Sequence, residues 1–157
     1  MDKKEFKIEN GILTKYDESA AQPIVEYDAN SKNHLSRVVF LPSNVNIIGK
    51  HAFAKNSNIN KVVLNKGLEY IDDSAFHLCE HLTSVEFPQS LTGIGRYAFY
   101  DCRLEEISLG KKVKSIEENA FADNNRLSRV SLSRGIEKIG SFAFFNCGNL
   151  EEIDLPD

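Results

Sequence analysis

Three stretches of the 157-residue chain carry residue types at spacings that could do chemistry. Gly93-Ile94-Gly95-Arg96-Tyr97-Ala98 fits G-x-G-x-x-A, in which glycines let backbone N–H groups approach a pyrophosphate at the start of a helix. His77-x-Cys79-x-His81 puts three zinc-ligating residue types at alternate positions, on one side of an extended segment. The acid pairs Glu105-Glu106 and Glu151-Glu152 would suit proton transfer inside an apolar pocket. Neither G-x-S-x-G, nor G-x-x-x-x-G-K-[ST], nor H-E-x-x-H occurs. The meaning of the three stretches depends on the elements that hold them.

Composition narrows the field first. A formal net charge of −4, with no dense run of Lys and Arg, argues against nucleic acid as a partner, because such binding needs clustered cations. No run approaches the roughly 18 to 20 apolar residues of a membrane span. The opening "MDKKEFKIENGILTKYDES" lacks the apolar core of a signal peptide, so the chain as written is expected to be cytoplasmic. The three cysteines, an odd number, suit a reducing compartment better than a disulfide framework.

Internal repetition then organises everything else. "INKVVLNKGLEYIDDSAFHLCEH" from Ile59, "LTSVEFPQSLTGIGRYAFYDCR" from Leu82, "LEEISLGKKVKSIEENAFADNNR" from Leu104 and "LSRVSLSRGIEKIGSFAFFNCGN" from Leu127 share one pattern. It reads L-x-x-[VI]-x-[FL]-x-x-x-[VLI]-x-x-I-x-x-x-A-F-x-x-[CN] and recurs every 22 or 23 residues. A further copy begins near Leu35 and a truncated one, "LEEIDLPD", ends the chain. Such a period with L-x-x-[VI]-x-[FL] predicts a leucine-rich-repeat solenoid, β-rich, with one short parallel strand per repeat and a turn or short-helix return. Alternation within "LTSVEF" sends Val85 and Phe87 inward and Ser84 and Glu86 outward. One turn offers about six large apolar side chains, too few to offset the ordering of its backbone, so stability belongs to the array.

These residues resemble the BspA-like leucine-rich repeats of bacterial surface proteins, close to L-x-x-I-x-I-P-x-x-V-x-x-I-G-x-x-A-F-x-x-C. The resemblance runs from Leu35 to Asp157, and "FKIENGILTKY" is similar to a segment that precedes such arrays. It implies non-catalytic binding modules displayed on the cell surface or secreted. Asn10-Gly11 between apolar runs predicts a hairpin that caps the first repeat. We therefore expect a cap over residues 1–34 and an array over residues 35–157, of about five full repeats and a partial sixth.

Within this frame the apparent motifs lose their chemistry. Gly93 aligns with Ile47, Tyr70, Ser115 and Lys138, an accident of one repeat, while Gly95 aligns with Gly49, Asp72, Glu117 and Gly140 at a turn. A dinucleotide fingerprint needs a following helix, whereas another strand is due at Leu104. Cys79, Cys102 and Cys147 align with Asn56 and Asn124, which predicts an inward Cys/Asn ladder bonded to turn backbone. His77 and His81 are read as surface residues, and the acid pairs as a solvated strand face. Neither an enzyme, nor a metal, nor a cofactor is expected.

Binding is expected on positions that vary between repeats and face outward. On the sheet these are Val38 and Phe40, Lys61 and Val63, Ser84 and Glu86, Glu106 and Ser108, and Arg129 and Ser131, followed by Glu152 and Asp154. Val38, Phe40 and Val63 form either an open apolar patch or a surface covered by residues 17–34. On the return side Tyr97, Tyr100, Phe142 and Phe145 occupy matching positions, as stacking platforms or as packing between turns. Lys66, Lys111, Lys112 and Arg134 make a broken basic edge of weak anion affinity. The expected function is protein recognition through the sheet face, with carbohydrate binding or adhesion through the return-side aromatics as the alternative. The uncapped edge at Ile153 to Leu155 is the candidate for self-association.

Overall fold

A computed structural model describes residues 6–16, 25–26 and 36–155. The chain opens with an antiparallel hairpin, β1 (Phe6–Glu9) and β2 (Ile12–Tyr16), joined by Asn10 at φ 51° and Gly11 at φ 78°. Positive φ at both central residues is what a two-residue hairpin turn matched to strand twist requires. β3 (Val25–Glu26) then pairs antiparallel with β4 (Ser36–Phe40).

From β4 onward each turn contributes two strands. The first is the L-x-x-[VI] segment: β4, β6 (Ile59–Val63), β8 (Ser84–Glu86), β10 (Glu106–Ser108), β12 (Arg129–Ser131) and β14 (Glu152–Asp154). The second is a pair of residues on the return path: β5 (Ile47–Ile48), β7 (Tyr70–Ile71), β9 (Gly93–Ile94), β11 (Ser115–Ile116) and β13 (Lys138–Ile139). The return strands form a continuous parallel ladder that β2 joins, so the hairpin and the coil share one seven-stranded sheet. The first strands run as β3-β4-β6-β8 and, after a break, β10-β12-β14. The remainder of each return is turn, and the described residues contain no helix.

Between the sheets lies one apolar core built in columns. Leu13, Ile48, Ile71, Ile94 and Ile116 are fully buried, as are Ala75, Ala98 and Ala120. The phenylalanine after each of these alanines stacks on its neighbours: Phe53, Phe76, Phe99, Phe121 and Phe144 follow at centroid spacings of 4.6, 4.9, 5.3 and 5.6 Å, with ring planes within 7°. Tyr16 of the hairpin continues the stack at 4.9 Å from Phe53. Each such pair adds about 0.5–1.5 kcal/mol beyond its area.

The polar ladder runs alongside. The thiols of Cys79, Cys102 and Cys147 donate to the carbonyls of Phe53, Phe76 and Phe121, one turn earlier, at 3.1, 3.2 and 3.3 Å. Asn124 donates to Phe99 O at 2.8 Å and to Phe121 O at 2.9 Å. All three cysteines are free, and burial pushes the Cys102 thiol well above its usual range. Asn124 has a second task. The third turn has one residue, Arg103, between its ladder residue and the next strand's leucine, where other turns have two. The Leu104 N–H therefore turns to the following turn and donates to Asn124 Oδ1 at 3.1 Å.

Two residues in each return segment adopt positive φ: His51 and Lys55, Ser74 and Leu78, Tyr97 and Asp101, Asn119 and Asp123, Phe142 and Asn146. This conformation aims successive N–H groups along the solenoid axis. Tyr97 N reaches Glu118 O at 3.0 Å, Phe99 N reaches Ala120 O at 2.8 Å and Asp101 N reaches Ala122 O at 3.0 Å. The left-handed backbone is thus held by inter-turn hydrogen bonds rather than by residue preference.

Turns also approach each other closely at Gly95. A Cβ there would lie 2.7 Å from the Asp72 carbonyl carbon and the Asp73 nitrogen, and Gly140 faces Glu117 and Glu118 in the same way. Gly93 has its own reason to lack a side chain, since a Cβ would meet the Tyr70 ring at 2.8 Å.

Two stability measurements follow. Gly95→Ala overpacks a backbone contact and is expected to lower unfolding stability by about 1–3 kcal/mol in urea titration. Asn124→Cys keeps the bond to Phe99 O but strands the Leu104 N–H, costing about 1–3 kcal/mol by the same assay. An unchanged urea midpoint in either variant would contradict these roles.

Candidate functional site

The outward residues of the first sheet are set by strand alternation. Val39, Val62, Val85, Ile107 and Val130 enter the core, so their neighbours face away from it. In register, Val38 lies beside Lys61, Phe40 beside Val63, Lys61 beside Ser84 and Val63 beside Glu86. Glu106, Arg129 and Glu152 form the matching row after the break, with Ser108, Ser131 and Asp154 next to it.

Val38 departs from its expected place. It is only 4 % exposed, although it lies beside Lys61 on the outward row. The apolar patch therefore contracts to Phe40, 47 % exposed, and the half-buried Val63 beside it. Of residues 17–34, the cover in one of the two readings, Val25 and Glu26 alone fall within the described residues.

The charged positions of the face are largely paired with each other across turns. Lys61 bonds Glu86 at 2.6 Å, and Arg129 bonds Glu152 at 3.0 Å. Ser84 and Ser131 are half-buried, whereas Ser108 and Glu106 are exposed. Phe40 is thus the large exposed apolar side chain of a surface whose Lys61 and Arg129 are ion-paired.

On the return side, Tyr97 and Tyr100 meet edge to face at 5.6 Å, and Phe142 and Phe145 do so at 5.7 Å. Each pair packs within its own turn, yet Tyr97 is 38 % and Phe142 61 % exposed. Ala122 and Asn119 fill the intervening turn, leaving the two pairs separate. The nearby Tyr100 hydroxyl, together with the Asn146 amide that donates to Asp123 at 2.7 Å, holds the Asp123 carboxyl below the usual range.

The stretch that suggested zinc scatters its ligands. Cys79 is buried in the ladder, His77 stacks on Tyr100 at 5.3 Å, and His81 stands exposed where the chain enters β8. Desolvation, followed by His51 and Lys55, lowers the His77 pKa. Among the described residues no group of three or more His, Cys, Asp or Glu side chains could hold a metal ion. Lys66, Lys111, Lys112 and Arg134 are exposed where the chain leaves the first-sheet strands. At the far end Ile139 and Ile153 are 46 % and 44 % exposed, whereas Ile116 and Val130 one turn earlier are fully buried.

Comparison with known proteins sets this architecture in context. A leucine-rich-repeat protein of T. pallidum superposes with a TM-score of 0.79 at 27% identity, covering 92% of this chain and 63% of that one. A leucine-rich cell surface protein of Faecalibacterium prausnitzii gives 0.77 at 25% identity, covering 91% of this chain and 34% of its own. The pneumococcal vaccine antigen PcpA, at 24% identity and a TM-score of 0.72, shares the fold, with 94% of this chain and 34% of that one covered. The chain thus spans between a third and just under two thirds of these structures. No curated protein matches it. The family model described as BspA type leucine rich repeat region matches six copies across residues 46–157. The repeats, the core columns and this match together place the chain in the BspA-type leucine-rich-repeat family.

Proposed function

We propose that the protein is a non-catalytic recognition module that binds a partner protein through the outward face of its first sheet. The observation that carries this reading is Phe40, a large apolar side chain 47 % exposed next to Val63, on a face whose Lys61 and Arg129 are paired with Glu86 and Glu152. Burying such an aromatic anchor while leaving satisfied ion pairs at the rim is the arrangement that concentrates binding energy in a few residues. Lys61, Ser84, Glu86, Glu106, Ser108, Arg129 and Ser131 would then supply the rim and its selectivity. The naming of the F. prausnitzii relative as a cell surface protein supports display outside the cell for this chain as well.

A second reading, carbohydrate binding or adhesion through Tyr97, Tyr100, Phe142 and Phe145, draws on one specific observation. Tyr97 and Phe142 are bulky aromatics held at φ 53° and 59° with much of their surface open. Aromatic residues in that backbone region carry a cost that asparagine at the same position, as in Asn119, largely avoids.

The two readings separate by mutation. In capture from an extract of the source organism, Phe40→Asp with Val63→Asp is expected to weaken a protein partner by about 2 kcal/mol, roughly thirty-fold, while Tyr97→Asn with Phe142→Asn leaves it unchanged. Full retention by the sheet-face variant would sink the first reading. Glycan-array binding lost in the aromatic variant alone would establish the second. Independently, Tyr97→Asn is expected to be more stable than Tyr97→Leu by about 1 kcal/mol, since only asparagine tolerates the left-handed backbone.

A further inference from the structure

Two surface hollows adjoin at the corner where each turn enters its first-sheet strand. The larger, about 420 Å³, is lined by Asn58, Asn60, His81, Thr83, Arg103 and Arg126. The smaller, about 380 Å³, is lined by Glu105, Glu106, Ser128 and Asn149, and shares Arg126. Asn58, His81, Arg103, Arg126 and Asn149 each occupy the position just before a strand's opening apolar residue, so they mark five successive turns. At about 4.8 Å per turn they span about 19 Å, the length of roughly six extended residues.

The corner is shaped by the short third turn. With one residue fewer between Cys102 and Leu104, Arg103 stands alone where other turns carry two residues, and the first sheet breaks between β8 and β10 at this place. The floor of the larger hollow is fixed by its own bonds. Asn60 accepts from Arg37 N at 3.0 Å and donates to His81 O at 3.5 Å, and the Thr83 hydroxyl donates to Asn60 O at 3.3 Å.

Charge divides the groove into halves. Arg126 at the junction pairs with Glu105 at 3.5 Å. On either side of that pair stand charges of opposite sign, Arg103 and Glu106, neither of which takes part in an ion pair among the described residues. Lys61 and Arg129 of the sheet face are, by contrast, answered by Glu86 and Glu152. Two unpaired charges of opposite sign lining adjoining hollows are available to a partner without breaking an existing bond.

We propose that this corner groove binds an extended segment of a partner protein that places a carboxylate side chain over Arg103 and a cationic side chain over Glu106. The proposal rests on the protein-recognition reading and shares Glu106 with the sheet face, but Arg103 lies outside that face, so Arg103→Ser and the Phe40→Asp with Val63→Asp variant let the two fail separately. The probe is the blocked hexapeptide Asp-Asp-Gly-Ser-Lys-Lys, titrated at low salt into the ¹⁵N-labelled chain, beside all-acidic, all-basic and Gly-Ser peptides of equal length. The expected result is amide shifts at Thr83, Arg103, Arg126 and Ser128. The bipolar peptide binds tightest, and affinity falls about five-fold in Arg103→Ser and in Glu106→Gln, the scale of an exposed charge pair. Arg103→Lys restores part of the loss, and Phe40→Asp with Val63→Asp leaves the peptide affinity unchanged. Equal binding of the bipolar and Gly-Ser peptides, undiminished binding in both single variants, or no shifts at millimolar peptide would overturn the proposal. An all-acidic peptide that binds as tightly as the bipolar one would also overturn it, leaving a simple anion subsite.

Discussion

The face-to-face contact of one phenylalanine per turn sets the terms for the rest of the molecule. Rings from Phe53 to Phe121 stacked within 7° of parallel at 4.6–5.3 Å are compatible with a single arrangement of successive turns, in register and without a stagger. A strand spacing near 4.8 Å fits the same distance, so sheet pairing and ring stacking reinforce each other. The carbonyls of those phenylalanines then fall within reach of the next turn's cysteine or asparagine, and their N–H groups within reach of the next alanine's carbonyl. The left-handed residues that flank the stack are the local adjustment that keeps this register continuous.

Much of the coil is legible because each column answers to one contact. Alanine marks closest approach, phenylalanine marks the stack, and cysteine or asparagine marks a carbonyl in need of a donor, so the residue type itself repeats. Features fixed by backbone alone leave no such trace. His51, Ser74, Tyr97, Asn119 and Phe142 share a φ near 55° and nothing in chemistry, so alignment shows their position without its conformation. The return strands are two residues long, too short for alternation to appear, and the second sheet emerges only from their pairing. Gly93 shows the limit of reading by columns, since the Tyr70 ring that lies against it comes from a neighbouring turn.

The outward surfaces were legible as positions and not as states. Alternation named the sheet-face residues, but Val38 is buried in the turn where β3, a strand outside the repeats, joins the sheet, and no repeat could announce that. The basic and acidic halves of the corner groove were equally hidden. They depend on a missing residue in one turn and on which charges find partners across turns. Pairing of that kind is a three-dimensional property of side chains that the repeat leaves free to vary.

The alternation of Gly49, Asp72, Gly95, Glu117 and Gly140 has a consequence for how such a chain can change over time. Every pair of successive turns contains one glycine at this position, and where Gly95 and Gly140 meet the acidic turns before them there is no room for a Cβ. Excising the third turn alone would set Asp72 directly against Glu117, two side chains and two like charges at a contact shaped for one. Removing or copying two turns together preserves the alternation. At this one position the packing pattern therefore repeats every two turns, twice the period that the rest of the sequence displays.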